Sequence, residues 1–136
     1  MKIALWNGSF ETGDKKVDAQ HQQLFEMVNE IHEGIMGGHG KDVLVPVLKR
    51  LAKYTVEHFA TEEALMQRTN YPGYAAHKKQ HDELTAKAVE IIQGYESGKI
   101  TLPMTLSRFL TDWLRDHIKK TDMEMIRYVK KQGAAA

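Results

Sequence analysis

The chain has 136 residues, 42% hydrophobic and 27% charged, with 19 basic side chains against 18 acidic ones and no cysteine. That length suits one domain over residues 1–136 with a real core, and is short for two. The balanced charge argues against a nucleic-acid partner, no stretch approaches the roughly 18 apolar residues of a membrane span, and the missing thiols exclude disulfides and thiolate metal sites.

Met1–Gly8 lacks the pattern of a signal peptide, so a soluble, cytoplasmic protein is expected. Residues 7–17 carry two glycines and no lasting periodicity, which reads as an extended N-terminal arm. Asp18 is placed to cap a first helix running to about Met36, which Gly37-Gly38-His39-Gly40 ends. Asp42 can cap a second helix to about Asn70, with Pro46 one turn in and able to delay its regular start. Tyr71-Pro72-Gly73 stops it. A third helix is expected over Tyr74–Ser97, and a fourth from Pro103 to about Lys131, before a frayed Gly133–Ala136 tail. No stretch alternates with period two, and no internal repeat is evident. The fold class read from this is all-α: an up-down-up-down antiparallel four-helix bundle with an extended N-terminal arm.

Each helix of a bundle turns one seam inward at spacings of three and four residues. The first seam reads His21, Leu24, Val28, Ile31, Ile35; the second Leu44, Leu48, Leu51, Thr55, His58, Glu62, Leu65. The third reads His77, His81, Leu84, Ala88, Ile91, Tyr95, and the fourth Leu106, Leu110, Trp113, His117. Five histidines and a glutamate thus fall in core registers, where unpartnered polar groups each cost about 1–3 kcal/mol or more. With alternating helix directions, all six lie at one end of the bundle. His58-x-x-x-Glu62 and His77-x-x-x-His81 each set two donors about 40° apart on one helical face. A metal site is the compensating feature. Five imidazoles without a thiolate exceed what one tetrahedral zinc needs, calcium and magnesium favour oxygen donors, and an imidazole–carboxylate set suits iron, in two copies. A second carboxylate is then required. Asp122 is the best placed, but five residues beyond His117 is about 140° around an ideal helix, so the fourth helix must loosen or end there.

Asp18-Ala19-Gln20-His21, His58-Phe59-Ala60-Thr61-Glu62-Glu63, His77-x-x-x-His81 and His117-Ile118-x-x-x-Asp122, with Trp6 and Tyr71-Pro72, resemble the motif series of hemerythrins, in particular the single-domain bacterial ones. The resemblance spans nearly the whole chain. Leu84 stands where many of that family carry an aromatic residue. The resemblance implies that His77, His81 and His117 bind one iron and His21 and His58 the other, with Glu62, Asp122 and an oxo or hydroxo group bridging them. One coordination position stays open for O2, on the iron with two histidines. By motif position, Leu24, Phe59, Trp113, Leu114 and Ile118 line the oxygen pocket, although each also reads as plain core.

The function expected is reversible oxygen binding, for storage, delivery or sensing, in a protein that is not an enzyme. The chain has no Glu-x-x-His pair of the carboxylate-rich oxidising di-iron enzymes, and neutral imidazoles favour the ferrous state. The alternatives are a di-iron peroxidase or nitric-oxide-handling protein, and iron or zinc buffering. Molecular oxygen is the expected partner, with an oxygen-consuming enzyme where the role is delivery; oligomeric state stays open. His32 and His39 lie off the seams and are expected in solvent. Gln20 and Tyr54 are candidate outer partners of the site, and Glu63, next to a ligand but pointing elsewhere, reads as a surface residue or an outer partner. Met27, Met66, Met104, Met123 and Met125 read as gap fillers.

Overall fold

A computed structural model describes residues 2–103 and 105–135 of the chain, without the side chains of 133–135. Met104 therefore lies outside the described residues. A short 3-10 turn over Gly8–Phe10 is followed by α1 (Lys15–Met36), α2 (Lys41–Arg68), α3 (Tyr74–Glu96) and α4 (Leu106–Asp116). A π-helical turn over His117–Asp122 joins α4 to α5 (Met123–Ala135), so that α4, the π turn and α5 form the fourth rod of the bundle. Among the described residues there is no strand.

Several boundaries differ from the sequence-based expectation. Asp14 caps α1, accepting from the Val17 amide at 3.0 Å, so the helix starts ahead of Asp18. Asp18 instead accepts from the Thr12 amide and hydroxyl (2.8 and 2.7 Å) and from the Gly13 amide at 3.1 Å. It ties the arm's last turn, made possible by Gly13 at φ 97°, to the first turn of α1. Asp42 is no cap either: Gly40 holds that position and Asp42 sits in the first turn, where its charge complements the helix dipole. Pro46 does not delay α2, because only its own amide is missing from the ladder. The fourth rod begins at Leu106, whose amide bonds the Pro103 carbonyl at 3.0 Å, and helix continues beyond Lys131 to Ala135.

Two exits show why the turns are tight. Asn70, at φ 55°, lets the Tyr71 amide reach the Met66 carbonyl at 2.9 Å, and Gly38, at φ 72°, lets His39 reach Gly34 at 3.1 Å. The arm is held by buried Asn29 of α1. Its Oδ1 accepts from the amides of Ile3 and Ala4 (2.9 and 2.7 Å), and its Nδ2 donates to the Ala4 carbonyl at 2.8 Å. Trp6, Phe10 and Phe25 then form an aromatic trio with centroids 5.2–5.6 Å apart.

The core falls into two parts. A large apolar cluster includes Leu24, Val28, Ile31, Leu48, Leu51, Leu106, Leu114 and Ile118; a small one, Val17, Met66, Met125 and Ile126, closes the other end. Along α1, α2 and the fourth rod, the histidine–carboxylate positions fall between members of the two. His39 is exposed as expected, but His32 is half-buried, its Nδ1 paired with the buried Ser107 hydroxyl of α4 at 2.7 Å.

Candidate metal centre

The seven polar residues named from the sequence are all buried and meet at one level of the bundle. α1 brings His21, α2 His58 and Glu62, α3 His77 and His81, and the π turn His117 and Asp122. The π turn resolves the awkward spacing of Asp122. Bonding from the Met123 amide back to the Ile118 carbonyl, i to i−5, sets residues five apart on one face.

The two carboxylates divide the imidazoles into two sets. Glu62 Oε2 lies 2.9 Å from His58 Nε2 and 3.2 Å from His21 Nε2, while Oε1 lies 3.0 Å from His81 Nε2 and 3.3 Å from His77 Nε2. Asp122 repeats the division: Oδ2 faces His21 Nε2 at 3.0 Å, and Oδ1 faces His77 and His117, each at 3.0 Å. His21, His58, Glu62 and Asp122 thus form one donor group able to hold a metal ion, and Glu62, His77, His81, His117 and Asp122 a second, sharing both carboxylates.

Glu62 Oε1, both Asp122 oxygens and His77 Nε2 have no properly directed hydrogen-bond partner, although nitrogen and oxygen lie within 3.0–3.3 Å of each other. Lone pairs that crowd together without pointing at a donor suit a cation between them, and imidazole nitrogen with carboxylate oxygen is a donor set for iron. The residues fit the metal.

Without metal, protons take up part of this charge. Burial lowers the His21 pKa, but its close contacts with the Asp122 and Glu62 carboxylates and their charges outweigh burial and raise it to about 9. His77 is raised to about 9 by the same balance. Burial pushes Glu62 up, yet the His58 charge and the close contacts with His21, His58 and His77 hold it well below the carboxylate range. Asp122 is also depressed: burial and the charge of Glu62 raise it, and His117 and His21 more than reverse that.

Outer partners hold three of the imidazoles. His58 Nδ1 meets Gln20 Oε1 at 2.7 Å, His117 Nδ1 meets Gln80 Oε1 at 2.7 Å, and His81 Nδ1 meets Glu63 Oε2 at 3.0 Å. Gln20 and Glu63 were candidates from sequence. Gln80 was missed, though it precedes His81 as Gln20 precedes His21, and that repeated dipeptide was the available signal. Tyr54 packs against the apolar core.

Of the five residues expected at the pocket, two stack on imidazoles of the centre. Phe59 stacks flat on His81 (centroids 3.8 Å apart, planes at 4°), and Trp113 stacks on His117 (4.4 Å, 16°). Ile118, Leu24 and Leu114 are buried in the large apolar cluster, and the last two also line a cavity of about 90 Å³ together with Leu84 and exposed Val56, Val89 and Phe109. Two threonines line it as well, but Thr55 donates to the Leu51 carbonyl and Thr85 to the His81 carbonyl, so the cavity is apolar in character.

A four-helix bundle whose core joins two histidine–carboxylate donor groups belongs to the class of cation-binding helical proteins. Residues 12–129 match the model of the hemerythrin HHE cation binding domain. The chain is 33% identical over 123 residues to the bacteriohemerythrin of Methylococcus capsulatus, covering 90% of this chain and 93% of that protein. It is 30% identical over 120 residues to the myohemerythrin of Riftia pachyptila, covering 88% of each chain. A crystal structure of wild-type hemerythrin superposes with a TM-score of 0.89 at 31% identity, covering 93% of this chain and 98% of the other. The chain belongs to the hemerythrin family. No helix among the described residues is long and apolar enough to cross a membrane.

Proposed function

We propose that the protein binds molecular oxygen reversibly at a non-haem di-iron centre, serving oxygen storage, delivery or sensing. The observation that carries this reading is the division made by Glu62 and Asp122. Each turns one oxygen to His21 or to His21 and His58, and the other into the His77, His81 and His117 set. A carboxylate placed this way could serve both metal positions at once. His77, His81 and His117 would hold one iron and His21 and His58 the other, leaving the second with fewer protein donors and room for a small ligand. The iron pair, when bound, supplies the electrons that reversible oxygen binding requires.

The chain's own residues do the rest. Five neutral imidazoles and only two carboxylates favour the ferrous state over higher oxidation states. Phe59 and Trp113 fix the planes of His81 and His117, and with buried Leu24, Leu114 and Ile118 they add apolar bulk to the core, which limits the access of water and protons. That exclusion supports carriage over turnover, and so a binding protein and not an enzyme. The names of the relatives, bacteriohemerythrin and myohemerythrin, point the same way.

Loading the protein anaerobically with ferrous iron and recording its absorption before air, after air and after argon tests the proposal. Two irons per chain and a near-ultraviolet and visible band that comes with air and leaves under argon are expected. A band that persists under argon, turnover with peroxide, or one zinc per chain in preference to iron would overturn it.

A further inference from the structure

The imidazoles of the centre are not all held in the same way. Thr61 donates its hydroxyl hydrogen to the Glu57 carbonyl (3.2 Å), so toward Gln20 Nε2, 3.3 Å away, it can only accept. The Gln20 amide nitrogen is thereby turned to Thr61 and its oxygen to His58 Nδ1, which must donate. On the other side, Gln80 Oε1 takes the Thr121 hydroxyl at 3.1 Å and the same kind of bond from His117 Nδ1. Glu63, a carboxylate, only accepts from His81 Nδ1. In all three imidazoles Nδ1 is committed as a donor to an outer partner, which leaves Nε2 as the nitrogen that faces inward. Among the described residues, His21 and His77 Nδ1 have no such partner.

We infer that Gln20, Gln80 and Glu63 are positioning residues that lock the metal-binding tautomer of His58, His117 and His81, with Glu63 alone adding a negative charge and adding it on the three-histidine side. Gln20 serves the two-histidine group and Gln80 and Glu63 the three-histidine group, so the two metal positions are tuned separately. A carboxylate pulling on an imidazole N–H makes the opposite nitrogen a stronger donor than an amide does, and outer partners of this kind are worth about 10–100-fold in metal affinity. The three-histidine position is therefore the tighter one. This rests on the di-metal reading above.

Cobalt(II), a paramagnetic stand-in for ferrous iron, tests it without oxygen chemistry. The metal-free protein is titrated with cobalt by calorimetry, and the hyperfine-shifted, exchangeable imidazole N–H signals of the loaded form are followed by NMR. Wild type should bind two cobalt ions in unequal steps. Gln20→Leu should weaken only the looser step and Gln80→Leu only the tighter, each by about 10–100-fold, with faster solvent exchange of one N–H signal. Glu63→Gln should bring the two affinities closer together. Gln20→Glu should restore the looser step, and the affinity losses of the leucine variants should exceed what any fall in their metal-free melting temperature accounts for. Wild-type affinities and N–H exchange in both leucine variants would overturn the inference while leaving the di-metal reading intact. Losses that match a fall in metal-free melting temperature, without rescue by Gln20→Glu, would overturn it as well. Fewer than two cobalt ions on wild type would overturn the underlying reading.

Discussion

Glu62, like Asp122, is a side chain on which both donor groups depend, since each of its oxygens faces histidines of a different set. Glu62→Gln keeps the shape but replaces one acceptor oxygen with an amide that cannot bridge. The expected result is a fall from two bound irons to one or fewer per chain, measured by metal analysis after ferrous loading. Retention of two irons would place the bridge elsewhere. Such residues were legible because a polar group in an apolar register is costly and therefore conspicuous: His21 among Leu24 and Val28, or Glu62 between Thr55 and Leu65. Gln80 was less visible. A half-buried polar residue on the edge of a helix costs little, so burial does not single it out as it does the ligands, and the His117 nitrogen opposite it gives it its meaning.

Helix type decides how Asp122 reaches the centre. Glu62 sits four residues after His58 on a regular α-helix; Asp122, one methylene shorter, sits five after His117 on a π turn. The π turn carries one extra residue, and pushes the shorter carboxylate inward. Deleting exposed Lys120 should convert the turn to α-helix without rotating Met125 and Ile126 out of the small apolar cluster, and should withdraw the aspartate. Metal content is expected to drop to one iron or fewer, and adding Asp122→Glu in the shortened chain should restore it. A deletion variant that loads two irons unaided would show that the π turn is not what brings the carboxylate in. The arm depends on Asn29 in a similarly local way. Asn29→Ala removes three hydrogen bonds and leaves the Ile3 and Ala4 amides unpaired, with an expected loss of about 1–3 kcal/mol and faster amide exchange at residues 3–10. Unchanged exchange would mean that Trp6 and Phe10 hold the arm alone. Helix interiors were readable from periodicity, but their starts were not. Asp14 and Asp18 have equal capping chemistry, and only the demand of the Thr12 and Gly13 amides assigns them.

At the scale of the whole molecule, metal and protons compete for the same core, and the sign of that competition is fixed. His21 and His77 are raised to about 9 without metal, so the stability they contribute is full below their ordinary value near 6.5 and is lost as pH rises through 9. Glu62 and Asp122 are depressed, so their contribution is present above the usual carboxylate range and is lost only in strong acid. The metal-free protein should accordingly be most stable between about pH 5 and 6.5 and weaken toward pH 9. Metal binding requires both imidazoles neutral, so loading at pH 7.5 should release up to about two protons per chain, and affinity should climb with pH until about 9. The gap in melting temperature between loaded and metal-free protein should therefore widen, by several degrees, from pH 6 to pH 9. Thermal unfolding of both forms across that range checks the gap, and calorimetry in buffers of different ionisation enthalpy counts the protons. A gap that narrows with pH, or loading without proton release, would mean that His21 and His77 are already neutral before the metal arrives. The two carboxylates would then carry their charge into the core unneutralised. The four-helix bundle, with its large apolar cluster on one side of the centre and the smaller one of Val17, Met66, Met125 and Ile126 on the other, has less burial at that end to offset such a cost.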